Sequence, residues 1–122
     1  MRKHLVLFVQ PEMLRQFDFM KLYDSGLITD WVRDTKTAQE QLNQFVDIVV
    51  LDLSHGPDEC LAFCTEAKRQ SADRIVVLLQ ADSVRVPDEA CFDLVLPKNV
   101  PQERFVREVT SLIEIRERRA AS

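Results

Sequence analysis

One short segment, Val46–Ser54, constrains the fold of this chain more than any other. Six of its first eight residues are apolar, and three of these are valine. A nearly continuous, β-branched apolar run of this length is typical of a strand buried on both faces of a parallel sheet. Asp52 lies near the end of this run. In open α/β sheets, ligands and chemistry lie beyond the carboxyl ends of the strands, so Asp52 is the first candidate functional residue.

Further apolar runs predict the other strands of the sheet. The run at 27–32 partly alternates between apolar and polar residues, which suits the edge of a sheet. The predicted strands besides the central one are Leu5–Val9, Leu27–Val32, Arg74–Leu79 and Asp93–Leu96.

Helical patterns alternate with these strands. Pro11 is expected to open a helix that Gly26 ends, because proline is favoured in a first turn and glycine just after a last one. Thr37 and Glu40 fit a capping box, which predicts a short second helix from Thr37. The predicted inward residues are Met13, Leu14, Phe17, Met20 and Leu22 (or Tyr23) in the first helix, and Ala38, Leu42 and Phe45 in the second.

Two longer helices are predicted after the central strand. Asp58 is expected to cap one of them, and Pro101 to open the other. Between them, the stretch from Gln80 to Phe92 contains Pro87 and few apolar residues, so any helix there is expected to be short. The predicted core faces are Cys60, Leu61, Phe63, Cys64 and Ala67 in one helix, and Phe105, Val106, Val109, Leu112 and Ile113 in the other.

This alternation of strands and helices predicts an α/β fold. Right-handed crossovers would place helices on both faces of a five-stranded parallel sheet. The expected architecture is a flavodoxin-like three-layer sandwich with strand order 2-1-3-4-5 and a shortened fourth helix. We expect one domain over residues 1–115. Residues 116–122, which include Arg116, Arg118 and Arg119, are expected to be a solvated helix end or a linker.

Composition narrows the functional classes. A chain of 122 residues with 46% hydrophobic content and a net charge of −4 fits one globular domain with no general attraction to nucleic acid or anionic lipid. No apolar run approaches the ~20 residues of a membrane span. Three cysteines without metal-like spacing favour a reducing cytoplasm over a disulfide framework. Only two glycines occur, so a glycine-rich phosphate loop is not expected.

The chain resembles response-regulator receiver domains (CheY-like) over nearly its whole length. The Val46–Leu53 segment looks like the receiver strand that ends in the phospho-accepting aspartate, here Asp52. Gln80 and Ala81 fall where that family carries a Thr-Ala or Ser-Ala pair. Lys98 matches the family's lysine after the fifth strand, with Asn99 in place of the proline that follows it.

The departures from the receiver pattern point to an atypical or degenerate member. Receivers hold Mg²⁺ with an acidic pair after the first strand together with the acceptor aspartate, and here that pair falls on Gln10 and Pro11. Only Glu12 is acidic nearby. Mg²⁺ prefers hard oxygen ligands in octahedral geometry, and phosphoryl transfer relies on positioning and charge neutralisation. The resemblance therefore implies a vestigial pocket of Gln10, Glu12, Gln80 and Lys98 around Asp52, with no metal and no cofactor.

Several other residues have structural interpretations. Cys60 and Cys64 lie at i and i+4 and are expected to pack in the core, while Cys91 has no assigned role. His4 is expected in solvent and His55 in a flexible loop. Trp31 is expected to pack against a helix, with an exposed anchor for a partner as the alternative.

Three functional hypotheses follow. The first is a pseudo-receiver: a non-enzymatic cytoplasmic signalling module that binds a protein partner, which could be a regulator, a kinase or an attached output domain. The second is an active atypical receiver, in which a histidine kinase phosphorylates Asp52 with Mg²⁺, Glu12 and Lys98 completing the site. These two hypotheses are distinguished by whether Glu12, Asp52 and Lys98 share one pocket, as the active receiver would require. A small-molecule enzyme is poorly supported, because no nucleophile–base pair of recognisable spacing occurs.

Overall fold

A parallel sheet forms the centre of the molecule. The computed structural model describes residues 3–81 and 91–121. The strands are β1 (His4–Val9), β2 (Leu27–Val32), β3 (Val46–Asp52), β4 (Ile75–Gln80) and β5 (Leu94–Pro97). They form one five-stranded sheet in the order β2-β1-β3-β4-β5, and each adjacent pair is parallel. The predicted flavodoxin-like sheet and strand order are therefore confirmed, with β3 at its centre and β2 at an edge.

Helices cover both faces of the sheet. They are α1 (Phe19–Asp24), α2 (Thr35–Gln41), α3 (Pro57–Gln70) and α4 (Gln102–Ala121), and a short 3-10 turn at Leu53–His55 follows β3. The short helix predicted between β4 and β5 falls largely on residues 82–90, which lie outside the described residues.

The sheet separates two hydrophobic cores. One core packs α2 and α3 against residues such as Val9, Val49 and Leu51. The other packs α1 and α4 against Val6, Ile48 and Val50, whose side chains point to the opposite face. This alternation along β3 explains why its residues are apolar on both sides, as expected for a central parallel strand.

The first helix is shorter than predicted. Residues 10–18 contain no α-helix, and α1 begins only at Phe19. Its N-cap is Asp18, whose carboxylate accepts hydrogen bonds from the backbone amides of Met20 and Lys21. Pro11 therefore does not open a helix. Phe17 is buried nevertheless, because it packs on Phe8 at a ring-centroid distance of 5.0 Å.

The predicted cap of the second helix was also wrong. The N-cap is Asp34, which accepts a hydrogen bond from the amide of Thr37 at 2.7 Å, so the helix begins at Thr35. Ala38 is buried as expected, but Phe45 lies beyond the helix and is 66% exposed. An aspartate three residues earlier in the sequence thus replaces the capping box as the start signal.

The third helix also begins differently from the prediction. Its N-cap is Gly56 and Pro57 occupies the first turn, so Asp58 lies within the helix and is not its cap. Gly56 has a φ of 102°, a backbone conformation that favours glycine.

The C-terminal helix includes residues 116–121, which agrees with the helix-end alternative of the prediction and not with a linker. It continues to Ala121, and Arg116 is not a solvated residue as predicted, because its guanidinium lies 2.7 Å from the carboxylate of Asp93. Asp93 also accepts hydrogen bonds from Lys68 and from the amide of Val76. This charge network of Lys68, Asp93 and Arg116 therefore links α3 and α4 to the end of the sheet where the strands begin.

His4 lies at the same end of the sheet, where the strands begin. Its imidazole lies 3.7 Å from the Asp47 carboxylate and 3.4 Å from that of Glu117, and the side chain is only 16% exposed. The prediction that His4 is solvated was therefore wrong. The two carboxylates come from β3 and α4, which no local sequence pattern links to β1.

No helix among residues 3–81 and 91–121 is long and apolar enough to cross a membrane.

Candidate functional site

The carboxyl ends of the strands place Asp52 at the centre of the candidate site. Asp52 ends β3 and is 2% exposed. One carboxylate oxygen accepts a hydrogen bond from the amide of Ser54 at 2.9 Å, which starts the 3-10 turn. The other oxygen lies 3.2 Å from the ammonium nitrogen of Lys98. Both predicted structural roles of Asp52, capping backbone and pairing with Lys98, occur together.

Lys98 is held in place by its backbone. Its amide donates to the carbonyl of Gln80 at 2.8 Å, which continues the pairing of β4 with β5. Its carbonyl accepts a hydrogen bond from the side chain of Gln16 at 2.9 Å. Both contacts fix the start of the side chain, which then reaches Asp52 while remaining 41% exposed.

Gln10 follows β1 and is completely buried. Its backbone amide donates to Val32 at 3.0 Å, and its carbonyl accepts a hydrogen bond from the indole of Trp31 at 2.8 Å. Neither polar atom of its side chain has a hydrogen-bond partner among the described residues. Trp31 is partly buried against the core that contains α1 and α4, in agreement with the packing interpretation.

Gln80 ends β4, next to the end of β3. Its side-chain oxygen is buried and has no hydrogen-bond partner among the described residues. Gln10 thus follows β1 and Gln80 ends β4, the two strands that flank β3, and each places an amide where the receiver pattern has a metal ligand or a hydroxyl group.

An open cavity of about 440 Å³ lies at this edge. It is lined by residues of both charge signs, Glu12 and Asp52 against Arg15 and Lys98. Glu12 is exposed on the rim. The other lining residues are Pro11, Met13, Leu14 and Ser54. The structure thus brings three predicted site residues, Glu12, Asp52 and Lys98, to one cavity, whereas Gln10 and Gln80 are not in its lining.

Two polar residues of the lining were not among the predicted site residues. Ser54 has a recognisable signal, since an aspartate often accepts a hydrogen bond from the amide two residues on. Arg15 has none, because it lies in a segment for which the sequence predicted a helix. His55 is also fixed rather than flexible as predicted, with its ring nitrogen 3.0 Å from the carbonyl of Val9.

The cysteines of α3 contribute to the core, as predicted for Cys60 and Cys64. The Cys60 thiol is buried and contacts the carbonyl of Asp52 at 3.4 Å. Burial, together with the nearby charges of Glu59 and Asp52, raises the pKa of Cys60 to about 12. Such a thiol is a poor nucleophile and a poor metal ligand at neutral pH.

The donor set does not fit the Mg²⁺ ion that the receiver resemblance implies. Mg²⁺ needs oxygen ligands around an octahedron, usually including one or two carboxylates. Here the position after β1 offers the buried amide of Gln10 in place of a carboxylate, and the two carboxylates of the cavity are balanced by two cations. Among the described residues, no group of three or more His, Cys, Asp or Glu side chains could hold a metal ion.

The architecture is that of response-regulator receiver domains. No protein-family model matches the sequence, and no curated protein does. Solved structures of receiver domains, by contrast, superpose over most of the chain at 15–22% identity. The chain therefore has the receiver-domain fold.

Three of these structures illustrate the likeness. Chemotaxis response regulator CheY4 of Vibrio cholerae is 18% identical with a TM-score of 0.72, covering 90% of this chain and 98% of its own. Response regulator TrrA from Thermotoga maritima, in complex with Mg²⁺ and BeF, is 22% identical with a TM-score of 0.69, covering 92% and 99%. A receiver-domain protein from Clostridium thermocellum is 15% identical with a TM-score of 0.74, covering 93% and 97%.

Proposed function

We propose that this protein is a pseudo-receiver, a signalling module that acts by binding a protein partner and does not use Mg²⁺-dependent phosphorylation of Asp52. The observation that carries this proposal is the complete burial of the Gln10 amide after β1, where the receiver pattern has an acidic residue, beside a cavity whose two carboxylates are matched by two cations. The pairing of Asp52 with Lys98 at 3.2 Å is compatible with both functions, because the lysine belongs to the receiver pattern.

The amide of Gln10 supports the same proposal. A buried amide offers a single neutral oxygen where two carboxylates would be needed, and electrostatic stabilisation is the main contribution of a protein to phosphoryl transfer. Gln80, at the end of β4, is longer than the hydroxyl residues of the receiver pattern. The partner could be a kinase, another regulator or an output domain.

One observation favours the second candidate, an active atypical receiver. Glu12, Asp52 and Lys98 line a single cavity, which is the arrangement that this function requires. Under this alternative, Asp52 would accept a phosphoryl group and Glu12 would supply the second carboxylate for Mg²⁺. The exposed position of Glu12 and the cation Arg15 beside it weigh against this arrangement.

Intact-mass analysis after incubation with acetyl phosphate and Mg²⁺ separates the two functions. The pseudo-receiver is expected to keep its parent mass, and Mg²⁺ is expected to leave its thermal stability and its Trp31 fluorescence unchanged. Trp31 is a suitable reporter because its indole donates to the carbonyl of Gln10 at the end of β1. A phosphoryl adduct that is present on the parent chain and missing from the Asp52→Asn variant would refute the proposal and establish the alternative.

A further inference from the structure

Two of the three cysteine side chains meet across the interior. The thiol of Cys64, in α3, donates a hydrogen bond to the carbonyl of Cys91 at 3.2 Å. Both side chains pack in the core between the sheet and α3. The two residues are 27 positions apart in the sequence, so only the folded chain brings them together.

The two thiols differ in their exposure. Cys64 is buried, whereas Cys91 is partly exposed. Burial and the contact with Cys91 raise the pKa of the Cys64 thiol. Because oxidants attack the accessible thiolate, Cys91 is the residue that reacts first and Cys64 is the residue that resolves the product.

We propose that Cys64 and Cys91 form an oxidation site at which a peroxide converts the two thiols into one intramolecular disulfide. The thiolate of Cys91 attacks a peroxide oxygen, the O–O bond breaks, and Cys91 becomes a sulfenic acid while hydroxide leaves. The Cys64 thiol, which the fold holds against Cys91, then displaces the sulfenic hydroxyl group, and its proton leaves with that hydroxyl group as water. In total, two thiols and one hydrogen peroxide give one disulfide and two waters.

Cys60 is a comparable buried thiol that lies outside the proposed oxidation site. It lies one turn before Cys64 on the same helix and is also buried, but its thiol contacts the carbonyl of Asp52. The selectivity for Cys64 therefore follows from which thiol touches Cys91, and not from membership of the helix.

The disulfide would connect α3 to the residues that precede β5. An ion pair between Lys68 and Asp93 already joins the same two elements. A covalent link restricts the unfolded chain, so the oxidised protein is expected to resist denaturant better than the reduced protein. This inference does not depend on Asp52 or on the proposed function.

The test uses the folded full chain, reduced and then freed of reductant. After treatment with hydrogen peroxide and quenching, the protein is denatured, alkylated with N-ethylmaleimide and weighed. The expected product has lost two hydrogen atoms and carries one maleimide in place of three, since the chain has three free cysteines. Peptide mapping is expected to join Cys64 to Cys91, and dithiothreitol is expected to restore all three adducts.

Two variants and one condition serve as controls. Cys60→Ala is expected to form the disulfide as the parent does, and Cys91→Ser is expected to form none. Oxidation in denaturant is expected to lose the preference for this pair. The proposal is overturned if mapping of the folded parent finds Cys91 over-oxidised with Cys64 still alkylated, a link between Cys60 and Cys64, or only disulfides between two chains.

Discussion

Two groups contact the carboxylate of Asp52 in its buried position. The amide of Ser54 and the ammonium of Lys98 each contact one of its oxygens, at 2.9 and 3.2 Å. Removing one partner of a buried carboxylate costs more than the pair contributes as a whole, because the other charge is then left without compensation.

Lys98→Met is therefore expected to lower the free energy of unfolding by about 1–3 kcal/mol. In the Asp52→Asn background the same substitution is expected to cost much less, because no buried charge is left behind. Urea unfolding of the parent, both single variants and the double variant gives the coupling energy between the two side chains. A coupling energy near zero would mean that the ion pair contributes nothing to stability.

A second prediction concerns the residues after β1. Replacing Gln10 and Pro11 with aspartate restores the acidic pair of the receiver pattern beside Asp52. We expect this double variant to gain Mg²⁺-dependent thermal stability and a change in Trp31 fluorescence, both relative to its own metal-free state. A dissociation constant of about 2 mM would give ~1 kcal/mol at ~10 mM Mg²⁺. Adding Asp52→Asn is expected to abolish the response, and a response that survives this change would place the ion elsewhere.

Some of the side-chain contacts could be predicted from single residues and others could not. Asp52 and Lys98 were found because each follows a strongly apolar strand, and parallel strands bring their carboxyl ends to one edge. His4 and Arg116 were assigned to solvent because their carboxylate partners lie on other elements. Such partners are set by tertiary packing, which a local sequence pattern does not contain.

Among the secondary-structure elements, the strands were predicted more accurately than the helix starts. A buried strand is specified by a dense apolar run, whereas a helix start depends on which of several polar residues caps it. At α2, Thr37 was the predicted cap, and the helix uses Asp34 instead. At α1, Asp18 caps the helix although Pro11 offered an earlier signal.

The cap of α2 gives a prediction about pH. Hydrogen bonds from Thr37 hold the pKa of Asp34 below its usual value of 3.8. Since the folded-state pKa is the lower one, the contribution of Asp34 to stability is present above pH 3.8 and is lost as the pH falls through the folded-state value. Asp34→Asn keeps a capping oxygen but no titratable group. The free energy of unfolding, measured with urea, is therefore expected to fall less steeply between pH 5 and pH 3 for the variant than for the parent. Parallel plots of this free energy against pH would contradict this account.

On the scale of the whole molecule, the two ends of the parallel strands have different roles. The open cavity with Asp52 lies where the strands end. The network of charged contacts that links the helices to the sheet lies where the strands begin. In that network Asp93 accepts from Lys68 on one side and Arg116 on the other, and His4 lies between Asp47 and Glu117. The network makes the last part of α4 a component of the fold.

The predicted boundary at residue 115 can be tested on this basis. A chain shortened to residues 1–115 lacks Arg116 and Glu117, so Asp93 and His4 each lose a partner, whereas a chain of residues 1–119 keeps both contacts. Losing hydrogen bonds to a half-buried charge costs about 1–3 kcal/mol, which for a domain of this size lowers the melting temperature by roughly 4–10 °C. We therefore expect the shorter chain to melt several degrees below the longer one in calorimetry. Equal melting temperatures would show that the domain is already complete at residue 115 and that the network contributes little to its stability.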